Sequence, residues 1–391
     1  MTMSFENHNY EVAGSFVDEL VRCGLRHVCI CPGSRSTPLT ISFARHPGVS
    51  TSVHQDERSA SFFALGMAKA TGIPIALVCT SGTAAAEFHP AVIESSCARV
   101  PLLVLTADRP PELHQWGANQ TIEQATMYGP HAKWAVQMPV PEQTATLMSF
   151  VRATACRAFA TAASTPMGTV HINFPFREPL EPNLASDGIV EGAQTGPVAL
   201  NGRPDGRPFI NVSTPLQIPN RRDISRLASE LTKVHKGLIV CGPQTAPDFP
   251  EVVVALAGKL GYPVLADPLS GVRCGTHDLS LVIDNYDVFL RDPKVVSTLS
   301  PDLVLRFGAV PTSKALNQFL DIHRMGRHIL VDDEDGWRDP QHVLSEIMRA
   351  DPNQVCHDLI SSLGNRDHQE GWVKRWRNVA NVARTAMDQE M

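Results

Sequence analysis

The sequence has no apolar run approaching the roughly 20 residues needed to cross a bilayer as a helix. Its first ten residues, Met1 to Tyr10, are polar and lack the basic flank and apolar core of a secretory signal. Charge of one sign is also lacking. There are 34 basic and 40 acidic residues, a net charge of −6, with no long run of either. That balance argues against a nucleic-acid or anionic-membrane surface, so any anion must be held by local arginine clusters. No Gly-x-Ser-x-Gly, Walker-type phosphate loop or Gly-x-Gly-x-x-Gly occurs. His54, His89 and His114 match no metal-ligand spacing. The nine cysteines are scattered, several inside apolar stretches as buried free thiols usually are. Cys29 and Cys31, two apart on an expected strand, face one side but have no second ligand pair, so they make no zinc signature. No metal ligand is expected, and a reducing cytoplasm is the simple reading.

What is present suits a soluble α/β protein. The 391 residues, 43% hydrophobic and 19% charged, can bury more than one core and imply two or three domains. Residues 12–23 have helical spacing ended by Gly24. Strands are expected at 26–31, 51–55, 75–80, 101–106 and 168–174. Helices are expected from Thr37, as N-cap, to Arg45, and from Glu57 to Thr71, capped by Asp56 and ended by Gly72. The alternation implies a doubly wound parallel sheet covered by helices. Residues 175–220 lose periodicity and gain proline and glycine, as a linker does. A second α/β unit begins near Arg221, with strands at 237–241, 263–266, 303–307 and 328–331 and helices at 248–260 and 313–324. The last stretch, from Gln369, is amphipathic, with Trp372, Trp376, Val379 and Val382 at three- or four-residue intervals. The fold class is therefore α/β with two doubly wound parallel-sheet domains. The expected boundaries are a first domain at 1–183, a linker at 184–220, a second domain at 221–365 and a helical connector at 366–391.

Several short segments carry chemistry. Ser34 and Arg35 sit in a loop between a strand and a helix, where backbone N–H groups favour an anion and Arg35 adds a bidentate grip. A plain turn with a surface arginine reads equally well. Glu57 lies in the first helical turn, where acids are common without catalysis. Shielded by Phe62 and Phe63, its carboxyl would rise in pKa and suit proton exchange. Ser81-Gly82-Thr83 follows a buried strand, a place for a ligand or for tight packing. Arg109 and Gln120 follow the next strand and would converge on the same sheet edge. Lys314 starts a helix in the second unit, either at a ligand or as a solvated lysine.

The motifs Cys31-Pro32-Gly33-Ser34-Arg35-Ser36, His54-Gln55-Asp56-Glu57-Arg58-Ser59, Thr80-Ser81-Gly82-Thr83-Ala84, Ala107-Asp108-Arg109-Pro110-Pro111, Gly117-Ala118-Asn119-Gln120, His171-Ile172-Asn173 and Leu265-Ala266-Asp267-Pro268 occur in one order. Over essentially its whole length the chain resembles the 2-succinyl-5-enolpyruvyl-6-hydroxy-3-cyclohexene-1-carboxylate synthases, thiamine-diphosphate enzymes of menaquinone biosynthesis. The resemblance implies domains for the cofactor's pyrimidine, for a central unit and for its diphosphate. It implies condensation of 2-oxoglutarate with isochorismate, with loss of CO2. By resemblance, Glu57 bonds the pyrimidine and promotes the imino tautomer that deprotonates the thiazolium. Ser81, Gly82 and Thr83 line the cofactor, and Ser34, Arg35, Arg109, Gln120 and Lys314 bind the anionic substrates. Homodimers or homotetramers are implied.

Two departures stand out. Ala315 replaces a second cation commonly found after the lysine. The Gly-Asp-Gly that begins the family's magnesium site is missing, since the 391 residues contain no Gly-Asp dipeptide. The Mg2+ ligands are thus expected in a C-terminal domain outside this sequence. The expectation is a truncated or split form that binds thiamine diphosphate weakly alone and needs a separate diphosphate-domain chain. An acetolactate-synthase-type enzyme and a non-catalytic interaction protein derived from the family are the alternatives.

Overall fold

The computed structural model describes residues 7–142, 144–182, 198–244, 246, 248–334, 336–364 and 370–390. The chain divides into two compact units, Met1–Thr214 and Pro215–Met391.

The first unit is built on six strands: β1 His27–Ile30, β2 Ser50–Val53, β3 Ile75–Cys79, β4 Leu102–Asp108, β5 Ala132–Gln137 and β6 Thr169–Pro175. They run in the order β2-β1-β3-β4-β6-β5, every pair parallel. β3, β4 and β6 are buried at every residue, as strands covered on both faces must be. Successive side chains point to opposite faces, so each strand feeds two cores. Val28 and Ile30 join Val12, Phe16, Leu20 and Val151 of the helices His8–Cys23 and Ala145–Ala163. Cys29 and Cys31 join Ala60, Ala64 and Val92 of the helices Glu57–Thr71 and His89–Ala98 on the other side.

Local signals set the helix ends. Asp56 caps the helix Glu57–Thr71 by accepting from the Ser59 amide at 2.7 Å, and Gly72 closes it at φ +69°. The helix Thr37–Arg45 begins at its expected cap, one residue early, and Ser36 takes the cap position. Thr37 is already helical, and its hydroxyl donates to the Ser34 carbonyl at 2.6 Å.

Part of the stretch 184–220 lies outside the described residues. Beyond it, the short helix Val198–Asn201 buries Ala199, and the guanidinium of Arg152 donates to the Ala199 and Leu200 carbonyls at 2.9 and 2.7 Å. Arg152 is itself buried, paired with Glu19 at 2.7 Å and Asp18 at 2.8 Å.

The second unit holds β7 Gly237–Cys241, β8 Val264–Ala266, β9 Val282–Ile283, β10 Leu303–Phe307, β11 Arg327–Val331 and β12 Glu346–Met348, in the order β12-β11-β10-β7-β8-β9, again all parallel. The helices Arg221–Lys233, Phe249–Leu260 and Pro352–Ser362 cover one face. The other is covered by Tyr286–Phe289, Lys314–Ile322 and the terminal helix Glu370–Glu390. The amphipathic stripe of that last helix is a core face. Trp372, Trp376, Ala380 and Ala383 are buried, and the Trp372 indole N–H donates to the Gly237 carbonyl at 2.8 Å.

Among the described residues, no helix is long and apolar enough to cross a membrane.

Candidate active site at the carboxyl edge of the first sheet

Because every strand of the first sheet is parallel, the loops after β1, β2, β3, β4 and β6 all emerge at one edge. The chain leaves β1 for β2 on one side and then returns to β3 on the other. The strand order therefore reverses between β1 and β3, where open α/β sheets form their ligand crevice. The two loops flanking that crevice, 31–36 and 80–83, are pressed together. A Cβ on Gly33 would lie 2.4 Å from the Cβ of Thr80, closer than any packing tolerates. Gly82 has φ +85° and ψ −143°, a backbone region that excludes residues with a side chain.

Three of the expected site residues interlock around Ser81. Arg109 donates through Nη1 to the Ser81 hydroxyl and, at 2.9 Å, to the Gln120 carbonyl. The Gln120 side-chain amide donates to the Ser81 carbonyl at 3.1 Å. Arg35, 8% exposed, reaches from the β1 loop to the segment after β6. It donates to the Phe176 carbonyl at 3.0 Å and to the Glu178 carboxylate at 3.2 Å. Its Nε is buried with no partner among the described residues. Burial lowers the pKa of Arg109, and the charge of Arg35 lowers it further; Asp108 and Glu178 oppose. Two guanidinium groups therefore share one edge, as anion binding on a net-acidic protein requires.

Glu57 begins the helix after β2 at the same edge, half-buried. It lies near the ends of β1 and β3. Burial pushes the Cys31 thiol up to about 12, with the Glu57 charge as the next cause, and Glu57 also contributes at Cys79. The shielding expected from Phe62 and Phe63 is not present within the chain. Those rings are 44% and 50% exposed, and Val53 beside them is 69% exposed. Ser34 is exposed in the short turn before the helix Thr37–Arg45, and Thr83 is exposed at the start of the helix Thr83–Glu87. Lys314 belongs to the second unit, exposed at the first turn of its helix, whose cap Ser313 accepts from the Leu316 amide at 3.1 Å. Ala315 faces that unit's core, 5% exposed, so a cation there would have to be buried.

Beneath the crevice runs a buried polar network that sequence reading did not identify. Asn173 uses its whole amide. Its oxygen accepts from Thr106 and Gln124, both at 2.7 Å. Its nitrogen donates to Asp108 at 2.7 Å and Gln137 at 2.6 Å. Gln124 in turn donates to the Ala107 carbonyl at 2.9 Å and accepts from the Gly82 amide at 3.0 Å. Asp108 accepts from the Arg109 amide at 2.7 Å, so the network fixes both the 80–83 loop and the start of the arginine loop. Burial raises the pKa of Asp108 against the pull of these hydrogen bonds. One available signal was the polar residues Thr106, Asp108, His171 and Asn173 inside otherwise apolar strands. Gln124 carried none.

His171 closes the network at 2.8 Å from the Thr106 hydroxyl. With that hydroxyl donating to Asn173, the His171 Nε2 faces it as the donor. Burial pushes its pKa down to about 4 from an ordinary 6.5, a backbone contact at Ala125 opposing. Above pH 6.5 neither folded nor unfolded state is charged there, and nothing is lost. As pH falls toward 4 the unfolded chain binds the proton first, so stability drops. Urea unfolding of the first unit should lose about 2 kcal/mol between pH 7.5 and 5 through this residue. Asp108, with its raised pKa, acts in the opposite direction at the acid end. His171→Gln should flatten the slope; an unchanged slope in that variant would refute the assignment.

No set of oxygen ligands suited to a hard cation such as Mg2+ occurs among the described residues. The single group of three metal-capable side chains, Glu19, Cys23 and Cys156, is thiol-rich, and Arg152 already pairs with its carboxylate. All nine cysteines are free.

Residues 10–127 match the family model of the thiamine pyrophosphate enzyme, N-terminal TPP binding domain. Residues 205–391 match that of the middle domain of thiamine pyrophosphate enzymes. A 2-succinyl-5-enolpyruvyl-6-hydroxy-3-cyclohexene-1-carboxylate synthase of Geobacillus thermodenitrificans is 45% identical over 380 residues, covering 96% of this chain and 62% of the relative. The synthase of the same name from Haloquadratum walsbyi is 46% identical over 376 residues, covering 96% and 60%. The chain thus spans about three fifths of the length of the curated relatives it matches. A solved chain from Mycobacterium smegmatis, described as a thiamin diphosphate-dependent enzyme, superposes with a TM-score of 0.65 at 19% identity. It covers 91% of this chain and 63% of that one, and at that identity the likeness concerns the fold.

Proposed function

The chain belongs to the thiamine pyrophosphate enzymes, and from that premise we propose that it provides the pyrimidine-side and central domains of a 2-succinyl-5-enolpyruvyl-6-hydroxy-3-cyclohexene-1-carboxylate synthase. That activity joins 2-oxoglutarate to isochorismate, with loss of CO2, in menaquinone biosynthesis. The observation that carries the reading is the shared sheet edge, which presents Glu57 together with Arg35, Arg109 and Gln120. An acid that exchanges a proton and a pair of guanidinium groups that grip carboxylates are what two anionic substrates and a thiamine cofactor require.

Thiamine diphosphate, when bound, supplies the stabilisation of carbanion character that amino-acid side chains lack. The residues of this chain have narrower tasks. Glu57 holds and moves a proton at its carboxyl oxygens. Ser81, Gly82 and Thr83 offer backbone groups to the cofactor, and a side chain at 82 would strain that loop and press on Gln120. Arg35 and Arg109 orient substrate carboxylates, Ser34 and Gln120 add hydrogen bonds, and Lys314 acts from the central domain. The proposed domain limits are 1–183 for the pyrimidine side, a linker at 184–220, a central domain at 221–365 and a connector at 366–391. Mg2+ is assigned to a diphosphate-binding domain, since the donor set here does not fit it.

The exposed Val53, Phe62 and Phe63 beside Glu57 support assembly into a homodimer or homotetramer that covers this face and encloses the carboxyl. Nine free thiols fit a reducing cytoplasm.

The test is condensation of isochorismate with 2-oxoglutarate by this chain, mixed with the diphosphate-binding domain of the Geobacillus thermodenitrificans relative, thiamine diphosphate and Mg2+. Product is expected with both substrates present. Condensation of pyruvate instead would point to an acetolactate-type enzyme, and cofactor binding without turnover of either pair would sink the reading.

A further inference from the structure

We propose that Glu178 is a resident counter-ion of the substrate-binding arginines, a built-in carboxylate that an incoming substrate carboxylate displaces from Arg35. The inference rests on the reading of Arg35 as a carboxylate anchor and goes beyond it by assigning what occupies that anchor at rest.

The geometry is specific. Arg35 is buried, yet only one of its two anion-facing edges is used. Nη1 and Nη2 are held by the Phe176 carbonyl and the Glu178 carboxylate, while Nε is buried and unpartnered among the described residues. A guanidinium binds a carboxylate best through two parallel N–H groups, and Glu178 supplies a single contact at 3.2 Å. The side chain of Glu178 is 75% exposed, so its release moves it into water it already touches.

The backbone beneath it stays fixed. Asn9 donates to the Arg177 and Pro179 carbonyls at 2.8 and 3.1 Å, Asn7 to the Pro179 and Glu181 carbonyls at 3.0 and 3.2 Å, and Tyr10 to the Leu180 carbonyl at 2.6 Å. Displacement is therefore a rotamer change on a clamped segment and needs no loop opening. The charge of Glu178 also acts on Arg109, so its departure leaves both cations to the substrate. At rest it keeps two neighbouring guanidinium groups from repelling each other.

An ion pair this exposed is worth little, so the competition is mild and reversible. Removing it should tighten carboxylate binding by up to about fivefold. The probe is succinate, titrated calorimetrically into the chain at low and at 0.5 M salt. Glu178→Gln should bind it more tightly than the native chain, by up to about fivefold, the difference shrinking at high salt. Combined with Arg35→Met, the same substitution should change nothing. In the condensation assay the KM for 2-oxoglutarate should fall in Glu178→Gln with kcat unchanged.

Unchanged or weaker succinate binding in Glu178→Gln, with Arg35→Met impaired, would overturn the displacement role and leave Arg35 as the anchor. Native affinity in Arg35→Met would remove the anchor and the proposal together. Absence of binding in both the native chain and Glu178→Gln would likewise overturn it. Circular dichroism melts confirm that each variant is folded.

Discussion

Glu57→Gln should lower turnover about 10³-fold in the reconstituted condensation assay, with KM changed less than threefold. The physical case rests on what the substitution keeps. Glutamine matches glutamate in shape and can still donate and accept hydrogen bonds. It cannot hold and return a proton. Asp56, the cap of that helix, is untouched, and Glu57 makes no ion pair among the described residues. Thermal stability should therefore move by less than about 0.5 kcal/mol. Glu57→Asp retains the proton but draws it back by one methylene, so an intermediate loss of about 10- to 100-fold is expected. The measurement is kcat for the three forms, with melting curves alongside. A Glu57→Gln form that keeps a tenth of native turnover would show that the carboxyl at this edge does not exchange the proton that matters.

Trp376→Ala should destabilise the second unit by about 3–5 kcal/mol, enough to consume most of the stability of an ordinary domain. Trp376 is fully buried. Its ring meets Trp372, Phe319 and Phe289 with centroids at 5.9, 5.8 and 6.2 Å. Replacing it leaves a cavity between the terminal helix and the helices Tyr286–Phe289 and Lys314–Ile322, in a layer too tightly packed to collapse. Trp376→Phe should cost markedly less because it keeps a ring in the site. Guanidinium unfolding followed by tryptophan fluorescence reads the difference. A loss below about 1 kcal/mol in the alanine variant would mean that the terminal helix is a detachable connector.

That helix shows where sequence and structure part. The stripe Trp372, Trp376, Val379 and Val382 identifies an amphipathic helix, but periodicity alone does not say what the apolar face touches. Val382 is in fact 72% exposed, and the stripe continues through Ala380 and Ala383 instead. Strand β5 and the helix Ala145–Ala163 are not among the elements expected from the sequence. β5 is an edge strand that alternates half-buried and exposed residues, and tertiary pairing with β6 makes it a strand. The expected strands at 237–241 and 303–307, by contrast, match to the residue, because continuous burial leaves a local signature.

The sequence by itself determined the alternation of strands and helices, the caps Asp56 and Gly72, and the rule that Glu57, Arg35, Ser81 and Arg109 all follow parallel strands. Burial periodicity and helix-end chemistry act over a few residues and are written locally. Only the tertiary structure decided that Arg35 meets Glu178, 143 residues away, and that Asn173 and Gln124, 49 apart, join the glycine loop to the arginine loop. A hydrogen bond between distant segments depends on strand order and on which groups burial leaves without water, and neither is fixed until the sheet has formed.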